Sequence, residues 1–402
     1  MKVTQIYDIM NNVTEEVLGK SNLISEDLTG IVDVGKEIIN QDSVDNYVKK
    51  LVNHIGKVVF KNKVYSGSAP SVLMDAWEYG SILEKVSAEL PEANENESYE
   101  LEDGKDYSPD VFYQPKVSVK FFNSKTTFEI PLSFTEIQVK ESFSSAEQLN
   151  GFLTMLTTSI ENSMTVKLDG LIMRTINNMI GDTLLNDKDG VKAVNLLAGY
   201  NETYGETETV QSAMKNPNFI RYANYIIGLY YDRIQKISTL FNIGGKERFT
   251  NKEDIVTVLL SDFEKSSSIF MKSDLNNDQY VDLPQHETIP YWQASGKLYA
   301  FDDVSKIDVK TSSNKKLTQT GILGVMFDRE ALGVANLDRR VTTNYNPKAE
   351  FYTNFYKFDA GFFNDMNENF IVFYLEEPKP EVPEEPEVPE EPEQQKNQKQ
   401  QK

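Results

Sequence analysis

The sequence predicts an α+β chain, and three observations predict it. Helical periodicity runs unbroken from about residue 144 to 180, two period-two strand patterns stand just before it, and an aromatic-rich segment occupies 350–375. With 402 residues, 39% apolar and 11% aromatic, the chain carries enough apolar surface for a real core and for two or three structural units.

Taken in order, Ile6, Ile9, Met10, Val13 and Val17 fall at helical spacing, as do Val44, Tyr47, Val48, Leu51, Val52 and Ile55. They predict two surface helices in a polar arm over residues 1–60. A second apolar stretch holds Val72, Leu73, Trp77, Tyr79, Ile82 and Leu83. An acidic one follows, with Glu89, Glu92, Glu95, Glu97, Glu100, Glu102, Asp103, Asp106 and Asp110 punctuated by Pro91, Gly104 and Pro109. Such a segment is an exposed loop or an extended hairpin.

Strands come next. Val117, Val119 and Phe121 alternate with Ser118 and Lys120, and Phe128, Ile130, Leu132 and Phe134 alternate with polar neighbours. Pro131 donates no ladder hydrogen bond, so its strand is expected at an edge or a bulge.

Ser144-Ser145-Ala146-Glu147 has the form of a capping box. Behind it Leu149, Leu153, Leu156, Ile160, Met164, Leu168, Ile172, Ile176 and Met179 recur every three or four residues. The helix they predict is roughly 50 Å long, against an average of about 11–12 residues, which suits the backbone of an extended, flat subunit. Gly151 and Gly170 lie inside it at some cost in propensity.

Residues 186–215 read as loop. Asn216-Pro217 opens a second helix through Phe219, Ile227 and Ile234 to Phe241, with Gly244-Gly245 as its stop. Residues 255–260 read as a buried strand, 262–271 as a short helix, and 297–327 as strands and turns. The aromatic segment is expected to form a hairpin broken at Gly361 and 364–369. Beyond Glu376 the string EVPEEP occurs twice, at 381–386 and 387–392. Such a Pro/Glu tract buries nothing, so 377–402 is expected to be a disordered, extended tail.

Charge and composition exclude several function classes. Lys and Arg number 41 against 62 Asp and Glu, a net charge of −21. That balance argues against a chain holding nucleic acid through its overall field. It also keeps subunits apart, so any assembly needs apolar contacts or a template. The absence of Cys excludes disulfides, thiolate catalysis and Cys-held metals. No apolar run approaches the ~18–20 residues of a membrane span, and no secretory signal is evident.

Candidate chemistry is sparse. His54 and His286 are the only histidines, and no nucleophile motif accompanies His286 beside Glu287. Residues 274–285 begin like a calcium loop, but Gln279 stands where the turn needs Gly and Gln285 where a bidentate Glu belongs. A polar surface turn accounts for them. Gly244-Gly245-Lys246 lacks the rest of a phosphate-binding loop and serves as a helix stop. No catalytic, cofactor-binding or metal residue is expected, and no cofactor.

The order of elements, together with the strings PYWQASG at 290–296 and LDRRVTTNYNP at 337–347 running on into the aromatic segment, resembles the HK97-like fold of tailed-bacteriophage major capsid proteins. The resemblance spans about residues 1–375. It implies an N-terminal arm at 1–60 and an extended loop with the first peripheral-domain strands at 61–143. A spine helix would follow at 144–185, an axial domain at 186–342, and returning peripheral strands at 343–376. It implies a non-enzymatic shell subunit that self-assembles into hexamers and pentamers and encloses double-stranded DNA without sequence-specific binding. The shell would be built in the host bacterial cytoplasm, with a separate scaffolding protein, a portal and a decoration or other virion protein as partners and no membrane. The alternatives are an encapsulin-type compartment shell, a surface adhesin and an enzyme. The missing leader and anchor argue against the adhesin, and two histidines and no cysteine argue against the enzyme, although carboxylates alone can run glycoside hydrolysis.

Overall fold

The computed structural model describes residues 3–19, 34, 50, 70, 72–74, 83–91, 93, 100–107, 110, 112–135, 137–138, 146–274, 283–293 and 303–377. The helix expected around 44–55 (apart from Lys50), Trp77 and Tyr79, the caps Ser144 and Ser145, His54, the strand-like run 298–301 and the tail beyond 377 lie outside them.

The first helix, α1 (Val3–Leu18), follows the predicted spacing and turns Met10, Val13 and Thr14 inward. Strand β1 (Leu73–Met74) is followed by a two-stranded ribbon of β2 (Leu83–Ala88) and β3 (Val117–Phe122), and then β4 (Lys125–Thr135). Helix α2 (Ala146–Asn186) has 41 residues and spans about 60 Å. It runs one and a half turns beyond the predicted end, because Asp182, Thr183 and Leu184 still pack before Gly190 turns the chain with φ of 67°.

Residues 186–215 are not a loop. They hold β5 (Ala193–Asn195), α3 (Leu196–Tyr204) and α4 (Val210–Ala213). These elements are too short to show periodicity, and their caps specify them instead. Asn195 caps the α3 amides, Gly205 closes that helix in the left-handed region, and Thr209 and Ser212 form a reciprocal capping box on α4. Helix α5 (Pro217–Arg233) begins as expected but ends eight residues early. The amide of Thr250 donates to the Ile234 carbonyl at 3.0 Å, and Ser238 and Arg248 exchange two backbone bonds. The loop so formed tucks Phe241 into the core and leaves Ile237 and Leu240 outside.

Strand β6 (Ile255–Leu260) and helix α6 (Ser261–Asp274) match their expectations. They are followed by β7 (Glu287–Ile289), β8 (Ile307–Lys310), β9 (Lys316–Gln319), β10 (Ile322–Asp328), β11 (Leu332–Asn346), β12 (Phe351–Asn364) and β13 (Phe370–Tyr374).

The strands form two main sheets, one ordered β1-β11-β12-β4 and the other β5-β13-β10-β6-β7. Pro131 lies on β4 at the edge of the first, where the missing donor costs nothing. The aromatic segment is not a hairpin. Strand β12 pairs with β11 and β4, whereas β13 pairs with β10 and β5 in the other sheet. Gly361 does not break β12, since it pairs with both Ala335 and Lys125.

The inward face of α2, from Met164 to Ile180, packs on Val258, Val325 and Val372 of the five-stranded sheet and on Val334, Phe358 and Ala360 of the four-stranded one. The opposite face of the five-stranded sheet, through Leu259, Met326, Ile371 and Phe373, is covered by α3, α5 and α6. Strands buried on both faces read as continuous apolar runs, as in β6 and β10. Trp292 is fully buried here. Its indole N–H donates to the Ile322 carbonyl at 2.9 Å, and its own carbonyl accepts from Asn177 at 2.8 Å.

Candidate assembly surface

The ribbon β2–β3 stands apart from both sheets, and its register sorts its side chains into two faces. Leu83 pairs with Phe122, Lys85 with Lys120 and Ser87 with Ser118; between these lie Glu84 with Phe121, Val86 with Val119 and Ala88 with Val117. The first set faces the body of the chain. The second faces away, with Val86 60%, Val119 48% and Phe121 63% exposed. The apolar face is therefore outward and the cationic face inward, the reverse of an ordinary half-buried ribbon. The loop joining the strands also exposes Leu101, Phe112 and Tyr113, in a stretch of sequence that carries Glu100, Glu102, Asp103, Asp106 and Asp110.

The inward face is held by charge. Lys85 and Lys120 lie directly across from one another, an arrangement that is unfavourable unless anions lie between. Asp365 does so: its carboxylate lies 2.8 Å from the Lys120 ammonium and 3.3 Å from that of Lys85. Lys85 also donates to Glu368 at 2.8 Å and lies 3.2 Å from Glu330. The same Glu368 oxygen accepts from Arg248 Nε at 3.2 Å. At the far end of the strands Glu89 accepts from Lys246 at 2.9 Å and lies 3.8 Å from Lys116. Phe122 packs on Phe363 with ring centroids 5.0 Å apart.

These contacts set the protonation of the root. Burial alone would lower the Lys85 ammonium, but the hydrogen bond to Glu368 and the fields of Glu368, Asp365 and Glu330 hold it above the ordinary lysine value. Burial alone would raise Asp365, but Lys120, the Asn367 amide and Lys85 hold it below the usual carboxylate range. Asp328, beside them, is pushed up by burial.

The residues weighed for chemistry are not brought together. Nδ1 of His286 lies 2.8 Å from the Pro284 carbonyl. Lys246 is engaged by Glu89 rather than presented to a phosphate. Residues 275–282 of the calcium-like loop lie outside the described set. Among the described residues no group of three or more His, Cys, Asp or Glu could hold a metal ion, and no helix is long and apolar enough to cross a membrane. A cavity of about 890 Å³ opens between α2, residues 289–293 and β8; several of its polar groups are engaged within the chain, while Asn177 Oδ1 is buried without a hydrogen-bond partner among the described residues. Asn177 donates to Trp292, Arg174 lies over the Phe362 ring at 5.1 Å, and Asp308 meets Lys316 at 3.4 Å.

The inverted faces of the ribbon escape sequence reasoning. Alternation of Val117, Val119 and Phe121 with Ser118 and Lys120 defines two faces but does not say which is inward. The available signal is the pair of lysines at matching positions of two strands bordering an acidic loop.

The model of the Phi29-like phage major capsid protein family matches residues 10–374. No curated protein matches the sequence. Among solved structures, the chain is similar to the capsid of Staphylococcus phage Andhra, with 10% identity over 78% of this chain and 86% of that one and a TM-score of 0.49. It is also similar to the capsid of Cyanophage P-SCSP1u, with 7% identity over 79% and 92% and a TM-score of 0.45. The capsid of Ralstonia phage GP4 follows, with 12% identity over 79% and 90% and a TM-score of 0.39.

Proposed function

The chain belongs to the Phi29-like phage major capsid protein family, matched over residues 10–374, and from that premise we propose that the apolar outer face of the β2–β3 ribbon is where one subunit lies on the next. The protein is a shell-forming capsid protein of the phage virion. The observation that carries the proposal is the inverted ribbon. A two-stranded ribbon is marginal by itself, and one that points Val86, Val119 and Phe121 at water needs a cover.

Its outer face also suits an acidic subunit. Val86, Ala88, Val117, Val119 and Phe121 carry no charge and only Glu84 accompanies them, so repulsion between chains of net −21 is weakest there. Closed rings need two unlike patches that meet head to tail, and large apolar interfaces stabilise them.

The remaining assignments follow the HK97-like reading. Residues 1–60 act as an arm, 61–143 as the extended loop with the first peripheral strands, and 144–185 as the spine. Residues 186–342 form the axial domain, 343–376 the returning peripheral strands and 377–402 a Pro/Glu/Gln tail. Subunits form hexamers and pentamers around double-stranded DNA, which an acidic chain encloses without sequence-specific grip. Assembly takes place in the host bacterial cytoplasm with a separate scaffolding protein, a portal and a decoration or other virion protein as partners. The chain acts without catalysis or cofactor. The compartment-shell alternative shares the fold class, but the family match is to phage capsids.

Electron microscopy of the protein, expressed alone and with its neighbouring genes, tests the docking face. Wild type is expected to give shells or hexamer rings. Val119→Asp is expected to give folded subunits that fail to close. Shells of Val119→Asp at wild-type yield would overturn the proposal.

A further inference from the structure

The chain passes between its two sheets at two neighbouring places. Residues 329–331 carry it from β10 to β11, and residues 365–369 carry it from β12 to β13. The two crossings are bonded to each other. The Asp365 amide donates to the Ala331 carbonyl at 2.7 Å, and the Asp328 amide donates to the Asn369 carbonyl at 3.0 Å. The second crossing is also tied to the loop after α5, since the Gly244 amide donates to the Met366 carbonyl at 2.8 Å.

All three carboxylates that hold the ribbon come from these crossings: Glu330 from the first, Asp365 and Glu368 from the second. The cations come from two separate pieces: Lys85 and Lys120 from the ribbon and Arg248 from the loop after α5. Three anions face three cations in one cluster. Asp365 and Glu368 are nearly buried, at 3% and 9% exposure, so neither charge can be left unpaired cheaply. Asp328 lies beneath them, and the Glu89 pairs with Lys246 and Lys116 flank them.

We infer that the two crossings and the ribbon lysines form a charge-coupled latch that ties the angle of the ribbon to the angle between the two sheets. A change at the junction of the sheets must move Asp365 and Glu368, and these carry Lys85 and Lys120 with them. The apolar docking face and the junction then shift as one, so each position in a shell sets its own ribbon angle. That last consequence rests on the docking proposal; the latch itself does not.

Hydrogen exchange on the full-length, unassembled chain tests it. The Asp365→Asn/Glu368→Gln double variant is expected to speed exchange at least about tenfold both in the ribbon strands, residues 83–88 and 117–122, and in the crossings, residues 329–331 and 365–369. Exchange in the centre of β6 should stay as in wild type. Acceleration in the ribbon alone would overturn the coupling, and no acceleration in either would overturn the latch. If the double variant does not fold, a charge swap decides. Lys120→Asp alone is expected to accelerate both regions, and Lys120→Asp/Asp365→Lys to bring them back within about threefold of wild type. A swap no better than the single variant would also overturn the latch. Val119→Asp, which probes docking, should leave exchange of the free subunit unchanged, so the two proposals fail separately.

Discussion

Lys120 of the ribbon donates a 2.8 Å hydrogen bond to Asp365, a carboxylate only 3% exposed and 245 residues away in sequence. The same carboxylate reaches Lys85, so its loss leaves two facing ammonium groups without the anion between them. Asp365→Ala is expected to cost about 1–3 kcal/mol, discounted because Lys120 remains partly in water. The urea midpoint of the isolated subunit checks this; a midpoint equal to wild type would contradict it.

The same pairs set a pH window. Asp365 is held below its ordinary 3.8, so its contribution is present above that value and is lost as pH falls through its own lower one. Lys85 is held above 10.5, so its contribution is complete below that value and is lost as pH rises through its raised one. Asp328, pushed up by burial, acts with the opposite sign and blunts the acid limb. Exchange of the ribbon amides, corrected for intrinsic rate, is expected to stay flat across neutral pH. It should rise only below the carboxylate range and above the lysine range; a step near pH 6–7 would contradict the assignment.

Two glycines of α2 are expected to respond in opposite directions. A Cβ at Gly170 meets nothing within 4 Å, so Gly170→Ala should gain about 0.5–1 kcal/mol from helix propensity. A Cβ at Gly181 would sit 2.7 Å from Val309 and 3.2 Å from Thr311, so Gly181→Ala should lose about 1–3 kcal/mol by pushing β8 away. Thermal midpoints of the two variants check both signs together.

The sequence made the framework legible where periodicity was long. The long helix through Leu149 to Met179, the alternation around Pro131 and the apolar run of β6 all stand as read. It failed where elements were short or context decided. Residues 193–213 form a strand and two helices because Asn195, Gly205 and Thr209 cap them, not because of any period. Phe351 to Tyr374 looked like one hairpin because local pattern cannot say which sheet a strand joins. Alternation placed Lys120 and Phe121 on opposite faces without saying which faced inward. The latch was illegible for the same reason, since its partners come from distant segments.

Tyr356 is buried on β12, and its hydroxyl finds no hydrogen-bond partner among the described residues. Tyr356→Phe removes that unsatisfied group and leaves the ring in place. The thermal midpoint is expected to hold or rise, by up to about 1 kcal/mol in stability. A fall of that size would show a partner for the hydroxyl.

The docking face itself can be read directly, because the chain contains no cysteine and one placed at Val119 would be unique. Val119→Cys should react readily with a maleimide in the free subunit, given its 48% exposure. In assembled shells the reaction is expected to be at least about tenfold slower, because a neighbouring subunit covers the ribbon. Equal rates in subunit and shell would mean that the apolar face stays open to water, and the account of how these subunits meet would be wrong.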